Sequence, residues 1–355
     1  MTDRAQIKDL SLEALRTRLD ADGVARFRAD QIAAWLYVRG VDEFEAMTDL
    51  GQELRERLAG AFETRSLEIE SVQASVDGTV KAALRTRDGA VVESVLIPEE
   101  QRTTLCISTQ VGCPLACSFC ATGAMGFTRN LRTGEIVDQV CQMRRLLPPG
   151  RRITNVVFMG MGEPLLNLPA VVEAARLLLH PKAFAMAPRR VTVSTVGIPG
   201  RIERLLREVP VNLAVSLHAT TDEVRDQLVP LNRRFPLQRL LDTLRALESL
   251  TRRRPVFFEY TLVAGVNDAV EDARRLAPLL RGIPAKLNVI PMNPHADSSL
   301  GPPDAGTVDR FVAAVAESGL RVTLRRSRGQ DIDAACGQLA LRPGALASLA
   351  GAAAV

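Results

Sequence analysis

Apolar positions along this chain change their period twice, and the changes divide it into three parts. Up to residue 62 they recur at helical spacing. Leu12, Leu15 and Leu19 share one face of a predicted helix over 10–19, which Ala21-Asp22-Gly23 breaks. A second helix is predicted over 27–37, and a third opens over 48–54 with Thr48 or Asp49 as its N-cap. Between 67 and 98 the period falls to two, predicting strands over 67–72, 80–85 and 90–97. Asp77-Gly78 and Asp88-Gly89 separate them, and Asp-Gly between apolar runs signals a tight hairpin. Glu93 sits inside the otherwise apolar third strand, facing either solvent or a site; position alone favours solvent.

From residue 102 onward a β-then-α rhythm sets in. Strands are predicted over 103–109, 155–159, 190–195, 212–217, 256–262 and 287–291, with a last one over 320–325. Helices are predicted between them over 133–147, 168–179, 200–208, 237–250 and 268–280. Such alternation predicts the α/β class, a parallel sheet with helices outside it. Six units are too few to close an eight-stranded barrel, so a partial, splayed (β/α)6 barrel is expected. The expected parts are a helical accessory domain over 1–65, a β-hairpin extension over 66–101, a core over 102–342 and an Ala- and Gly-rich tail over 343–355.

The length of 355 residues and hydrophobic content of 46% suit one large domain with a small satellite. Six Cys in such a length do not make a secreted disulfide scaffold. No charged-then-apolar signal segment opens the chain and no apolar run reaches about 18 residues, so a soluble, cytoplasmic protein without a membrane partner is expected. The net charge of +4 points weakly to an anionic partner. Lys occurs only at 8, 81, 182 and 286, so the basic residues are nearly all Arg, whose fork suits phosphate. Codon bias or heat adaptation gives the same imbalance.

Candidate chemistry lies at the strand ends, where βα folds gather it. Cys113-Pro114-Leu115-Ala116-Cys117-Ser118-Phe119-Cys120 puts three thiols in eight residues, spaced C-x3-C-x2-C, after the first core strand. Thiolates select iron–sulfur clusters, zinc or copper(I). A [4Fe–4S] cube usually takes four Cys, so three leave one iron open to a chelating molecule. Structural zinc wants a fourth protein ligand, and the three His, at 180, 218 and 295, are all distant in sequence. A zinc knuckle or three unconnected core cysteines is the other reading of the spacing alone. Met159-Gly160-Met161-Gly162-Glu163-Pro164 ends the second core strand; its glycines permit close approach to a ligand, and Glu163 can accept from an ammonium. A tight turn with an incidental Glu would look the same. Ser194 ends the third strand, Ser216-Leu217-His218 the fourth, and Asn293 follows the sixth. Together such groups would ring a ribose and a carboxylate; singly they read as loop hydrogen bonds or caps. Cys106 lies in the first core strand, and Cys336 in a polar loop with Asp331 and Asp333. If the barrel closes, both can face one cavity. Cys141, on the 133–147 helix, reads as a small core hydrophobe. That reading also suits Cys106 and suits Cys336 poorly.

The cysteine spacing, followed by Ala121-Thr122-Gly123, resembles the signature of the radical S-adenosylmethionine (SAM) superfamily. Over 27–341 the chain is similar to the RlmN family of radical SAM RNA methyltransferases. The likeness is carried by Phe27-Arg28-Ala29-Asp30-Gln31-Ile32 with Trp35, by Gly112 and the cysteine run, and by Gly126-Phe127-Thr128-Arg129-Asn130-Leu131. Gly160-Met161-Gly162-Glu163-Pro164 and Asp331-Ile332-Asp333-Ala334-Ala335-Cys336-Gly337-Gln338-Leu339 complete it.

The resemblance implies a TIM-like radical SAM barrel and methylation at C2 of one adenosine in 23S rRNA and of the adenosine next to the anticodon in tRNA. It implies a [4Fe–4S] cluster on Cys113, Cys117 and Cys120, with SAM contacts at Gly162, Glu163, Ser194, Ser216, Leu217, His218 and Asn293. Two SAM molecules serve each turnover in that family: one methylates the residue matching Cys336, and the other, on the cluster, yields a 5′-deoxyadenosyl radical. That radical takes hydrogen from the S-methyl group, and the carbon radical adds to adenine C2. By the same resemblance Glu93 is the proton acceptor, and Cys106 attacks the sulfur of Cys336, forming a disulfide and freeing the base. A flavodoxin- or ferredoxin-type electron donor and a monomeric state are expected. The reactive base must leave its stack to enter such a pocket. Arg clusters at 144–145, 151–152, 233–234, 252–254 and 325–328 are either RNA backbone contacts or ordinary solvated arginines. Two rival readings stand beside this one. The antibiotic-resistance relative that methylates adenosine C8 shares the cluster and the two-cysteine device. A non-catalytic zinc-bearing RNA-binding protein is the reading from a different class.

Overall fold

The computed structural model describes residues 4–296 and 298–340; the expected tail over 343–355 lies outside the described residues. Two short parallel strands, β1 (Ala5–Gln6) and β2 (Phe62–Glu63), bracket the N-terminal unit. Between them lie α1 (Leu12–Ala21), α2 (Arg28–Ala33) and α3 (Gln52–Ala61). Ser11 caps α1, its hydroxyl accepting from the Ala14 N–H at 3.1 Å. α2 continues as a π-helical turn over Ala34–Arg39 that Gly40 ends at φ +76°. The positive φ is what favours glycine here; a Cβ on Gly40 would also fall 2.3 Å from the Arg144 guanidinium and displace it. The third helix starts later than predicted, with Gly51 at its N-cap. Asp49 is not a cap because its carboxylate accepts from Trp35 Nε1 at 2.5 Å.

The alternating region forms β3 (Leu67–Ala74), β4 (Val80–Thr86) and β5 (Val91–Pro98), antiparallel to one another. β6 (Thr103–Cys106) pairs antiparallel with β5 and opens the βα region. It is shorter than predicted: residues 107–109 lie outside it, and β7 (Gln110–Gly112) pairs instead with β8 (Phe127–Asn130), with the short α4 (Ala121–Ala124) between them. Then follow α5 (Thr133–Met143), β9 (Asn155–Phe158), α6 (Leu168–Leu179), β10 (Val191–Thr195), α7 (Pro199–Glu208) and β11 (Asn212–Ser216). The chain closes with α8 (Asp222–Leu228), α9 (Leu237–Ala246), β12 (Val256–Leu262), α10 (Val270–Leu279), β13 (Ala285–Pro291), α11 (Ala305–Glu317) and β14 (Val322–Leu324).

All the longer strands belong to one ten-stranded sheet, ordered β14-β13-β12-β11-β10-β9-β6-β5-β4-β3. β6 and β9 to β14 are parallel, giving the expected splayed barrel; β3 to β5 extend the same sheet antiparallel. The parallel strands are covered on both faces and so read as apolar runs, with Val193, Leu213, Val215, Phe258 and Tyr260 buried. α8 and α11 were not predicted. α11 carries a legible signal, since Asp304 accepts from the Thr307 N–H and Val308, Phe311 and Val315 face the core at helical spacing.

The N-terminal unit packs on α5, which is buried along its whole length. Lys8, wholly enclosed, bridges Asp138 on α5 at 2.5 Å and Asp42 of the N-terminal unit at 3.2 Å. Arg144 donates to the carbonyls of Leu36 and Tyr37 at 2.8 and 2.6 Å. Cys141 sits in this seam as a buried small side chain, as expected.

Candidate active site

The three cysteines of the 113–120 loop open onto one cavity of about 160 Å³ at the C-terminal ends of the parallel strands. The loop is set locally by a close approach: the Cys113 N–H donates to the Gly126 carbonyl at 2.7 Å. A Cβ on Gly112, whose φ is +74°, would fall 1.9 Å from that oxygen, so only glycine fits there. Ala116 takes positive φ, 50°, in the middle of the loop. Leu115 and Phe119 line the cavity between the thiols. Burial pushes all three thiols up, Cys113 to about 12. The N–H groups of Gly123 and Thr122 point back at the Cys120 sulfur and favour its thiolate. Among the described residues no three His, Cys, Asp or Glu side chains stand close enough to share a single metal ion. The thiols ring a common space without closing on one point. Three soft donors facing a part-apolar cavity, each needing a positive centre to give up its proton, fit a cluster.

The next strand ends supply polar groups. Glu163 is buried, and its two carboxylate oxygens accept from the Leu165 and Val196 N–H groups, each at 2.9 Å. Burial nonetheless pushes its acidity down, raising its pKa, so a cation beside it would be welcome. Gly160 and Gly162 line the cavity, but their lack of a side chain answers to protein packing. A Cβ on Gly160 would meet Ser108 Oγ at 2.7 Å, and one on Gly162, at φ +99°, would meet Gln110 Cβ at 2.5 Å. Ser194 and Ser216 line the cavity from β10 and β11. His218 is buried at φ 56°; its Nδ1 accepts from the Thr261 N–H at 3.0 Å, so the proton sits on Nε2. Burial, then the charge of Arg225, hold its pKa down to about 3, leaving a neutral donor in the wall. Leu217 does not line the cavity. Its side chain is fully buried, its N–H donates to the Glu259 carbonyl and its own carbonyl accepts from Arg225.

Cys336, from the far end of the chain, lines the same cavity as the cysteine trio. Three separate segments hold its loop. The Ala121 N–H donates to the Gly337 carbonyl at 2.7 Å, and Thr122 Oγ1 to the Leu339 carbonyl at 2.6 Å. On the β3–β4 turn, Asp331 accepts from Ser75 Oγ at 2.6 Å and Asp77 accepts from the Gly329 N–H at 3.0 Å. Asn293 is the third support: its amide donates to the Cys336 carbonyl at 3.0 Å and accepts from Gln330 at 2.8 Å. Cys336 is open to the cavity, yet enough protein surrounds it for burial to raise its pKa.

Cys106 and Glu93 stand behind this wall. Cys106, on β6, is buried, and burial and then the nearby Cys336 push its thiol up. Both are free thiols. Glu93 is buried rather than on the solvent face, because Lys81 and the segment around Asp333 and Ala340 lie against its carboxylate. Its Oε1 pairs with Lys81 at 3.1 Å, its Oε2 has no hydrogen-bond partner among the described residues, and Lys81 also donates to the Asp333 carbonyl at 3.3 Å.

Two structural residues were not legible from sequence. Arg225 is fully buried and donates to the carbonyls of Val196, Ser216 and Leu217, tying two strand ends together. Lys81 ties Glu93 to the Cys336 loop. Glu259 and Arg325 also line the cavity. For Glu259 a signal exists: like Glu93, it is a carboxylate in an otherwise apolar strand.

Residues 107–277 match the radical SAM superfamily, and residues 5–64 match the ribosomal RNA large subunit methyltransferase N-terminal domain. The chain is 50% identical to the dual-specificity RNA methyltransferase RlmN of Geobacter sulfurreducens over 96% of its own length and 93% of that protein's. It belongs to the RlmN family. The RlmN of Geotalea uraniireducens is 47% identical, over 95% of this chain and 97% of its own. The crystal structure of a radical SAM methyltransferase from Sphaerobacter thermophilus superposes with a TM-score of 0.90 at 45% identity, covering 94% of this chain and 99% of that one. The cavity is therefore that of an RlmN-family radical SAM fold, and its cofactors are a [4Fe–4S] cluster and SAM. The match over residues 5–64 ends just before β3 starts at Leu67, so it covers the helical unit that docks on α5.

Proposed function

We propose that this chain methylates C2 of an adenosine in 23S rRNA and of the adenosine beside the anticodon in tRNA, with Cys336 as the methyl-carrying residue. That it is a radical SAM RNA methyltransferase follows from its family and from relatives named for dual-specificity RNA methylation. The observation carrying the finer reading is the convergence of Cys336 and the 113–120 cysteines on one cavity.

In this reading Cys113, Cys117 and Cys120 hold the cluster, and Glu163, Ser194, Ser216, His218 and Asn293 contact SAM, with Gly162 beside them. When bound, the cluster and SAM supply one electron, the methyl group and the hydrogen-abstracting chemistry. The residues do the rest. The Cys336 sulfur takes the methyl group and gives up its thiol proton. Once the carbon has bonded to C2, Glu93 accepts the proton lost from C2 as one electron leaves the adduct; the Cys106 thiolate then attacks the Cys336 sulfur, the S–S bond forms as the S–C bond breaks, and the released carbon keeps that electron pair and takes up a proton to give the methylated adenosine. Cys336 lies near enough to raise the Cys106 thiol's pKa, after burial, and that proximity supports the pairing. The N-terminal unit and the exposed Arg325 and Arg326 at the mouth are the proposed RNA contacts. An electron donor of flavodoxin or ferredoxin type, a monomer and a cytoplasmic setting complete the reading; no described helix is long and apolar enough to cross a membrane.

The test is mass spectrometry of nucleosides from rRNA and tRNA incubated anaerobically with the reconstituted enzyme, SAM and a reductant. 2-Methyladenosine is expected. 8-Methyladenosine would replace the reading with its C8 rival, and a colourless, iron-free protein holding one zinc would end both.

A further inference from the structure

Glu259 sits in the middle of β12, with Phe258 and Tyr260 on either side fully buried in the core. Strand alternation turns Glu259 and Thr261 the other way, into the cavity. Its register partners are Ser216 on β11 and Asn288 on β13, so Ser216, Glu259 and Asn288 make one row across three adjacent strands. The carboxylate is only 6% exposed. Oε1 accepts from Asn288 Nδ2 at 2.8 Å, which fixes the side chain. Oε2 is buried and has no hydrogen-bond partner among the described residues. Packing does not call for a carboxylate here, since an aliphatic residue would continue the apolar run of β12. An unfilled buried acceptor is costly, and its persistence in a cavity wall implies a donor on whatever fills the cavity.

We propose that Glu259 is the acceptor for the ribose hydroxyls of the adenosyl group bound in this cavity. This rests on the SAM-binding reading above. The row matches the chemistry: a carboxylate oxygen beside a serine hydroxyl offers acceptors for two vicinal O–H donors. Carboxylates grip ribose hydroxyls in dinucleotide sites in the same way. Glu163 is committed elsewhere: both of its oxygens accept from backbone N–H groups, and the reading above gives its remaining acceptor capacity to the SAM ammonium. Burial raises the Glu259 pKa, and the Asn288 amide and then Arg325, also in the cavity wall, pull it back toward the charged form.

The test is equilibrium binding, by calorimetry on the cluster-reconstituted protein, of SAM and its 2′-deoxy and 3′-deoxy analogues. Wild type is expected to prefer SAM over at least one analogue by roughly 10-fold or more, the range for a lost hydrogen bond to a charged group. Glu259→Met, which keeps the length and removes the acceptor, is expected to bind SAM and that analogue within about 2-fold of each other. Glu259→Gln, with one amide oxygen left to share, is expected to fall between. Iron content and melting temperature check that each variant is assembled. Wild type that binds SAM without discriminating overturns the assignment and needs no variant. Discrimination that survives in Glu259→Met overturns it too, and loss of RNA methylation alongside would turn Glu259 toward the substrate base. Wild type that does not bind SAM at all refutes the function proposed above instead.

Discussion

Two buried groups of charged side chains can be set side by side, one at the seam between the N-terminal unit and α5, the other around the cavity. At the seam every carboxylate oxygen has a donor. Asp42 accepts from Lys8 on one oxygen and from Arg65 and Arg145 on the other. Asp138 accepts from Lys8 and from the Ser66 and Leu67 N–H groups at 2.8 and 2.9 Å. Glu259 in the cavity wall and Glu93 behind it each keep one buried oxygen without a hydrogen-bond partner among the described residues. The two groups are similar in burial and in charge and differ in what is left over. A satisfied network rigidifies a junction; an unfilled acceptor facing a cavity marks where a ligand completes the structure. Burial of charge alone does not distinguish the two.

The comparison can be broken by substitution. The largest effect is expected from Cys336→Ala, which removes the proposed methyl carrier. RNA methylation should fall below detection while iron content stays at the wild-type level; methylated product from this variant would sink the proposed role. Cys106→Ala comes next, leaving protein covalently attached to RNA and visible as a shifted band on a denaturing gel. Free turnover in that variant would refute its part in release.

Stability separates the two groups more finely. Lys8→Met leaves Asp42 and Asp138 facing each other without their shared cation, and removing one partner of a buried pair costs about 3–5 kcal/mol. Denaturant unfolding should show that loss, with a matching fall in melting temperature. Glu259→Met removes an acceptor with one unfilled oxygen and should change stability by no more than about 1–2 kcal/mol, set mainly by the amide it leaves unpaired on Asn288. Equal losses in the two variants would erase the distinction between seam and cavity. The smallest effect is expected from Asp331→Ala, which frees the Cys336 loop from the β3–β4 turn. Hydrogen exchange over 329–339 should quicken while global stability holds.

Much of this molecule could be read from periodicity, because a strand or helix shows its buried face within a few residues. The βα alternation, the hairpin turns and the helices of the N-terminal unit follow from spacing alone. So does the cysteine loop, whose thiols are neighbours in the chain and whose Gly112 and Gly126 shape it locally. Thr48 and Asp49 misled because a cap is decided by what else reaches the side chain, and Trp35 reached Asp49 first. The glycines at 160 and 162 read as close approaches to a ligand, yet the folded chain shows Ser108 and Gln110 as what they approach.

Tertiary structure alone decided the rest. It brought Cys336 to the trio through contacts with Ala121, Thr122, Asn293 and the β3–β4 turn, none of them near in sequence. It joined the hairpin strands to the barrel sheet and closed Lys8 between two aspartates from different units. It also left one oxygen of Glu259 unfilled. Periodicity reports which side of one element is buried; it carries no information about which distant segment lies against that side, and hydrogen-bond satisfaction depends on that segment.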